Sequence, residues 1–259
     1  MSVATAFNGG APAQIGSGGD AVTLVEGGTF CLSNRHGDVP VGTSYGLFFR
    51  DARVLSRWEL RVDGQVAEAL SVEATEAFAA QFILRRAPRS GLADSTLLIV
   101  RERLVADGLR ETISLHNLDK ESTVVSLELH ADADFADLFA VKEGRAATAG
   151  ADMHVADGEL VLRGRADQVR GLAVSASGDP IVLPGSLNWR VVVPPGGPLA
   201  DRGHGPADVV ESQGADPHSA WQGHRVQRAG PQDREMAGHR DHGRDRPRRA
   251  GAGVAADRK

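Results

Sequence analysis

Asp-Gly occurs three times in this chain, at 63–64, 107–108 and 157–158, each time flanked by apolar runs. Both central residues of a two-residue hairpin turn need positive φ, and Asp-Gly is among the few pairs that accept it cheaply. The flanking runs carry the matching signal. Trp58, Leu60 and Val62 alternate with Arg57, Glu59 and Arg61, the period of a strand with one buried face. Around the second pair, residues 96–105 lead in and 109–117 lead out, with Ile113 and Leu115 on one side. Around the third, 154–156 face 159–162. Val125, Leu127 and Leu129 alternate with Ser126, Glu128 and His130. Segments 171–174 and 187–193 read as later strands, and 21–25, 27–32 and 46–49 as early ones. Short strands and turns at this spacing predict an all-β fold, an antiparallel β-sandwich of hairpins over residues 21–197. Residues 1–20, small and Gly-rich, read as a flexible N-terminus. Segment 72–86 places Ala77, Phe78, Gln81 and Phe82 at helical spacing. We read it as strand, because its surroundings are hairpins.

A chain of 259 residues has room for one large β domain or two smaller ones. Its formal charge of −5 is too mild to imply a nucleic-acid partner. Cys31 is the single cysteine, so no internal disulfide can form, and a reducing, cytoplasmic setting is expected. The first residues lack the basic region and apolar run of a signal peptide. No apolar stretch reaches the roughly 18 residues a membrane helix needs, so no membrane partner is expected.

Residues 201–259 differ from the rest. They hold no Leu, Ile, Phe or Tyr, but ten of the 26 arginines and five of the nine histidines, at 204, 218, 224, 239 and 242. Such a segment cannot bury enough apolar surface to offset its ordering entropy, so residues 198–259 are expected to be disordered. A natural basic extension is one explanation. Against it, ten Arg and one Lys face seven Asp and two Glu. The other is a shift of reading frame near residues 195–197, since Arg, Gly, Ala, Pro, His and Asp are what GC-rich DNA yields out of register. Three lysines against 26 arginines fit such a genome, and the second explanation is favoured.

Several side-chain groups could carry chemistry. His130, Asp132 and Asp134 would share a strand face, with Asp137 beyond, and could suit a divalent cation. A solvated strand end explains them more simply, and the calcium-loop glycine and glutamate are lacking. No metal or cofactor is expected. His36 with Asp38 lacks a nucleophile beside it. Cys31 lies on an apolar strand and reads as a small buried hydrophobe. Trp58 and Trp189 run in phase with aliphatic residues and read as buried, leaving Tyr45 as the candidate sugar-stacking ring. Asp51 and Arg53 would share a face if their strand began there, and with Arg57 they offer directional hydrogen bonds. A salt bridge pinning a β corner is their simpler reading.

Two blocks resemble a known family. Residues 45–58, Tyr-Gly-Leu-Phe-Phe-Arg-Asp-Ala-Arg-Val-Leu-Ser-Arg-Trp, resemble the aromatic-x-Asp-Thr/Ala-Arg-x-Leu-Ser-Arg signature of the N-terminal domain of bacterial glycogen-debranching (amylo-α-1,6-glucosidase-type) proteins. Residues 133–144, Ala-Asp-Phe-Ala-Asp-Leu-Phe-Ala-Val-Lys-Glu-Gly, resemble that domain's Asp-Phe-Ala-Asp-Leu-Phe-x-Val motif. Ala52 stands for the commoner Thr, and Lys142-Glu143 for Arg-Gly. The resemblance implies that the two carboxyl groups glycoside hydrolysis needs sit on a separate α/α barrel. This chain would then be non-catalytic, scaffolding or lidding an α-glucan hydrolase barrel absent from it. Tyr45, Asp51, Arg53 and Arg57 would contact that barrel or the substrate. Its partners would be an α-glucan or a glycosidase catalytic domain, with self-association through an uncovered apolar face, for which the doubly apolar run 97–100 is a candidate. The alternative is a free-standing glucan- or hydrolase-binding module.

Overall fold

The structure, a computed structural model, describes residues 21–88, 95–146, 150–165, 170–196 and 207–215. Among these the chain is all-β and antiparallel, as the alternation predicts, with one short helix. The strands are distributed over three sheets. The first runs β1 (Val22–Glu26), β2 (Thr29–Ser33), β3 (Gly46–Phe49), β4 (Ala52–Leu55) and β11 (Ala136–Asp137). The second runs β15 (Ile181–Leu183), β16 (Ser186–Val193), β10 (Thr123–Asp132) and β5 (Arg57–Val62). The third has eight strands. In spatial order they are β12 (Ala151–Ala156), β13 (Glu159–Gly164), β14 (Gly171–Ala176), β17 (Ala207–Ala215), β9 (Gly108–Asn117), β8 (Leu97–Val105), β7 (Ala79–Arg85) and β6 (Glu68–Glu76). The helix α1 (Leu138–Lys142) follows β11.

One apolar core draws on all three sheets: Leu24 and Leu47 from the first, Leu60 and Leu129 from the second, Phe82, Ile99 and Leu162 from the third. Burying each such side chain stabilises the fold by about 1.5–3 kcal/mol. Trp58, Trp189 and Cys31 are all buried, as their phase predicts.

The three Asp-Gly pairs meet different ends. Asp157 and Gly158 take φ of 52° and 80° between the register partners Ala156 and Glu159, a complete two-residue hairpin. Asp63 and Gly64 also turn with positive φ, but pairing stops at the bridge Val62↔Gln65. Beyond it the strands part, β5 to β10 and β6 to β7. At 107–108 the hairpin forms with Val105 opposite Leu109, a longer loop in which neither residue has positive φ. Segment 72–86 is extended, split into β6 and β7 by a turn at Ala77-Phe78. In the run 97–100, Leu97 and Ile99 are buried and Leu98 and Val100 half-buried, so the exposed apolar residues lie elsewhere. Within the segment expected to be disordered, residues 207–215 form β17. The N-terminal 20 residues and the remainder of the tail lie outside the described residues.

Candidate functional site

The two motif blocks, some eighty residues apart in sequence, fold against each other. Phe49 and Ala52 are register partners across β3 and β4, so Arg50 and Asp51 form the turn between them, with φ of 45° and 65°. Left-handed backbone costs an L-residue about 1–2 kcal/mol, and here two adjacent side-chain-bearing residues adopt it. Asp51 is therefore an exposed turn residue and does not share a strand face with Arg53, contrary to the expectation from alternation: β4 begins only at Ala52. The second block arrives as β11, with Ala136 opposite Arg53 and Asp137 opposite Ala52. Asp137 then caps α1 by accepting hydrogen bonds from the Phe139 and Ala140 backbone N–H groups. The Leu138 N–H donates to the Asp51 carbonyl at 2.8 Å, tying helix to turn.

Arg53 holds this junction from beneath. It is buried, donates through Nε and Nη2 to the Asp134 carboxylate, and through Nη1 to the carbonyls of Thr43 (2.7 Å) and Tyr45 (3.2 Å). Such a fork of donors is what a guanidinium does and an ammonium cannot. Gly46 is required here, because a Cβ would lie 2.6 Å from Arg53 Cδ and 2.7 Å from the Leu55 carbonyl oxygen. Tyr45 is half-buried against the core rather than displayed. Of the four candidate contact residues, Tyr45, Asp51 and Arg53 thus come together. Arg57 stands apart on β5, its Nε donating to Glu59 at 2.8 Å.

His130, Asp132 and Asp134 do not converge. His130 lies 3.7 Å from Glu128, Asp132 accepts from the Ala133 N–H, and Asp134 belongs to Arg53. Burial and the Arg57 charge lower the His130 pKa, while burial raises that of Asp132. Among the described residues no group of three or more His, Cys, Asp or Glu is placed to hold a metal ion. No helix among them is long and apolar enough to cross a membrane.

A larger polar constellation went unread in the sequence. Arg101 and Arg103 on β8 and Glu111 on β9 have fully buried side chains. Arg101 Nε donates to Glu111 at 2.6 Å and Nη1 to Asp38 at 2.6 Å; Arg103 Nη2 reaches Glu111 at 3.1 Å, and the Trp58 indole N–H donates to the same carboxylate. Loop 34–38 closes over both arginines: the His36 carbonyl accepts from Arg101 and the Gly37 carbonyl from Arg103. Arg103 also lies over the Phe82 ring, 5.2 Å from its centroid. Asp38 continues the chain of charges outward to Arg61 at 3.6 Å, and Arg61 to Glu59 at 3.3 Å. Burial alone would raise the Glu111 carboxyl; the two guanidinium charges and the hydrogen bonds overcome it and hold the pKa at about 2. The same carboxylates carry Arg101 above its ordinary value against the opposing effect of burial. The signal was available. Arg101 and Arg103 stand in phase with Leu97, Ile99 and Val105, and Glu111 with Leu109 and Ile113, on the faces that became core.

Exposed apolar side chains lie near these groups. At the motif junction Phe139 is 61% exposed beside the Arg50-Asp51 turn. On the outer face of the second sheet, the register partners Val124 and Val192 are both exposed. A groove of about 380 Å³ there is lined by Glu128, Asp179, Asn188, Arg190 and Trp189 among others.

No curated protein matches this sequence. Residues 24–200 match a family described as the N-terminal domain of (some) glycogen debranching enzymes, a span that takes in both motif blocks, Arg53 with Asp134, and the buried charge network. The chain belongs to that family.

Proposed function

We propose that this domain is a non-catalytic partner of an α-glucan hydrolase module, packing on it as scaffold and lid through the junction of the two motif blocks. The observation that carries this reading is the junction itself. Residues of both motifs converge on a strained, exposed turn and an exposed phenylalanine, held rigidly from below by Arg53 and Asp134. Strain of this kind persists where the surroundings enforce it, and it clusters at contact and functional sites. The buried Glu111 carboxyl supports the same conclusion. Hydrolysis needs one carboxyl group kept protonated, whereas Glu111 is held ionised to about pH 2. Asp51 and Phe139 would meet the catalytic module, Arg53 would position them, and Tyr45 would pack behind. A cytoplasmic setting accords with the single buried thiol.

The purified chain should release no glucose from a limit dextrin, and release above a buffer control would refute the proposal. A debranching-type catalytic module added in trans should co-elute with the chain, and Phe139→Asp should abolish co-elution without lowering the melting temperature. Equal co-elution by that variant would remove the junction from the interface. A second reading, in which the domain itself holds a glucan, draws on the groove beside Trp189 and Asn188. Retardation of the chain on glycogen-containing gels, lost on Asn188→Ala, would favour it.

A further inference from the structure

Arg57 belongs to the first motif block, yet it stands outside the junction that Tyr45, Asp51 and Arg53 build. Its place is the outer face of the second sheet. Trp58, Leu60 and Leu129 face the core, so the residues alternating with them on β5 and β10 face away from it. The registers set these residues in rows. Arg57 stands opposite Asp132, Glu59 opposite His130, and Arg61 opposite Glu128. On β16, Asn188 stands opposite Glu128 and Arg190 opposite Ser126. Each row lies two residues from the next, so the face runs about 20 Å along β10 from the Arg57 row to the Arg190 row. Its far end is the groove beside Asn188, whose 380 Å³ is small for a ligand site.

Charge is balanced along this surface. Arg57, Arg61 and Arg190 are set against Glu59, Glu128 and Asp132. Burial and the Arg57 charge hold His130 below its ordinary pKa, so it is mostly uncharged at neutral pH. Such balance does not draw a strongly anionic or cationic ligand. Nor is it the core of a protein interface, where charged residues are depleted. It offers instead a line of directional donors and acceptors with capacity to spare. Among the described residues Arg57 hydrogen-bonds only through Nε, to Glu59, and Glu128 meets only His130, at 3.7 Å. Ile181 and Leu183, exposed on β15, border the same face with aliphatic surface. A sugar ring, with hydroxyls around its rim and C–H groups on its faces, matches both. Glycogen, the polymer named in the family's description, is a chain of such rings.

We infer that the outer face of the second sheet is a track for a linear α-glucan chain, seated at one end in the groove at Asn188 and held at the other by Arg57. About 20 Å is the reach of about four or five linked glucose units. The inference rests on the reading that the domain itself holds a glucan.

Calorimetric titration of the full chain with maltose and with maltopentaose tests it. Maltopentaose should bind at least tenfold more tightly than maltose. Arg57→Ala should remove that advantage and leave the maltose affinity as it was, whereas Asn188→Ala should weaken both sugars. Equal affinities in the native chain, or an advantage that survives Arg57→Ala, would overturn the track and leave a glucan confined to the groove. Binding of neither sugar would overturn both readings. Should Arg57→Ala fail to fold, His130→Ala in the row between makes the same comparison, and an advantage it leaves intact overturns the track.

Discussion

Replacing Glu111 by glutamine keeps the side chain's size and removes its charge. The carboxylate receives Arg101 at 2.6 Å, Arg103 at 3.1 Å and the Trp58 indole. Glutamine offers one acceptor oxygen and turns an NH2 group towards a guanidinium. Asp38 alone would then balance two fully buried arginines. Removing one partner of a buried ion pair costs about 3–5 kcal/mol, because the charge left behind is neither solvated nor compensated. At about 2–4 °C per kcal/mol for a domain of this size, the melting temperature should fall by roughly 6–20 °C. No cavity is created, so the loss reads the electrostatic network and not packing. The control is Glu102→Gln on the opposite face of β8, where an exposed glutamate accepts only from Gln81; its effect should stay within about 0.5 kcal/mol. Thermal and urea unfolding followed by circular dichroism would give both values. If Glu111→Gln costs no more than Glu102→Gln, the buried charges do not hold the sheets together and the reasoning fails.

The same carboxylate sets a pH dependence. Its folded pKa of about 2 lies below the ordinary value of 4.5. Its stabilisation is therefore complete above about pH 4.5 and is lost as pH falls towards 2. Urea midpoints measured between pH 5 and 2 should drop steeply for the native chain and more gently for Glu111→Gln; parallel curves would contradict this. Gly46→Ala should destabilise by about 1–3 kcal/mol, since one of the three atoms its Cβ would strike is a backbone oxygen that cannot swing away. A urea midpoint unchanged by that substitution would show that the 43–46 segment moves aside freely.

Much of the fold was legible because half-buried strands advertise themselves. The alternation in β5, β9, β10 and β16 put Trp58, Ile113, Leu129 and Trp189 on the core face, where they are found. Periodicity and residue type disagree at three places: Arg101, Arg103 and Glu111 are charged, yet they sit at core-phase positions. Only pairing between neighbouring strands makes them tolerable inside, and pairing is a property of register. The start of β4 at Ala52, which takes Asp51 off its face, is not legible because a two-residue turn without glycine gives no local sign of itself. The helix α1 escaped for a similar reason: five residues are too few to show a helical period, though Asp137 ahead of Leu138-Phe139 is a fitting cap. The meeting of the two motif blocks could not be foreseen at all, since it rests on the long-range pairing of β11 with β4.

Cys31 is the molecule's single sulfhydryl, buried on β2 with Arg103 3.8 Å away and its pKa pushed up by burial. An alkylating reagent can reach it only when the first sheet lifts from the third. One modification event per molecule thus times that opening directly, turning a residue with no chemistry of its own into a clock for the domain's breathing.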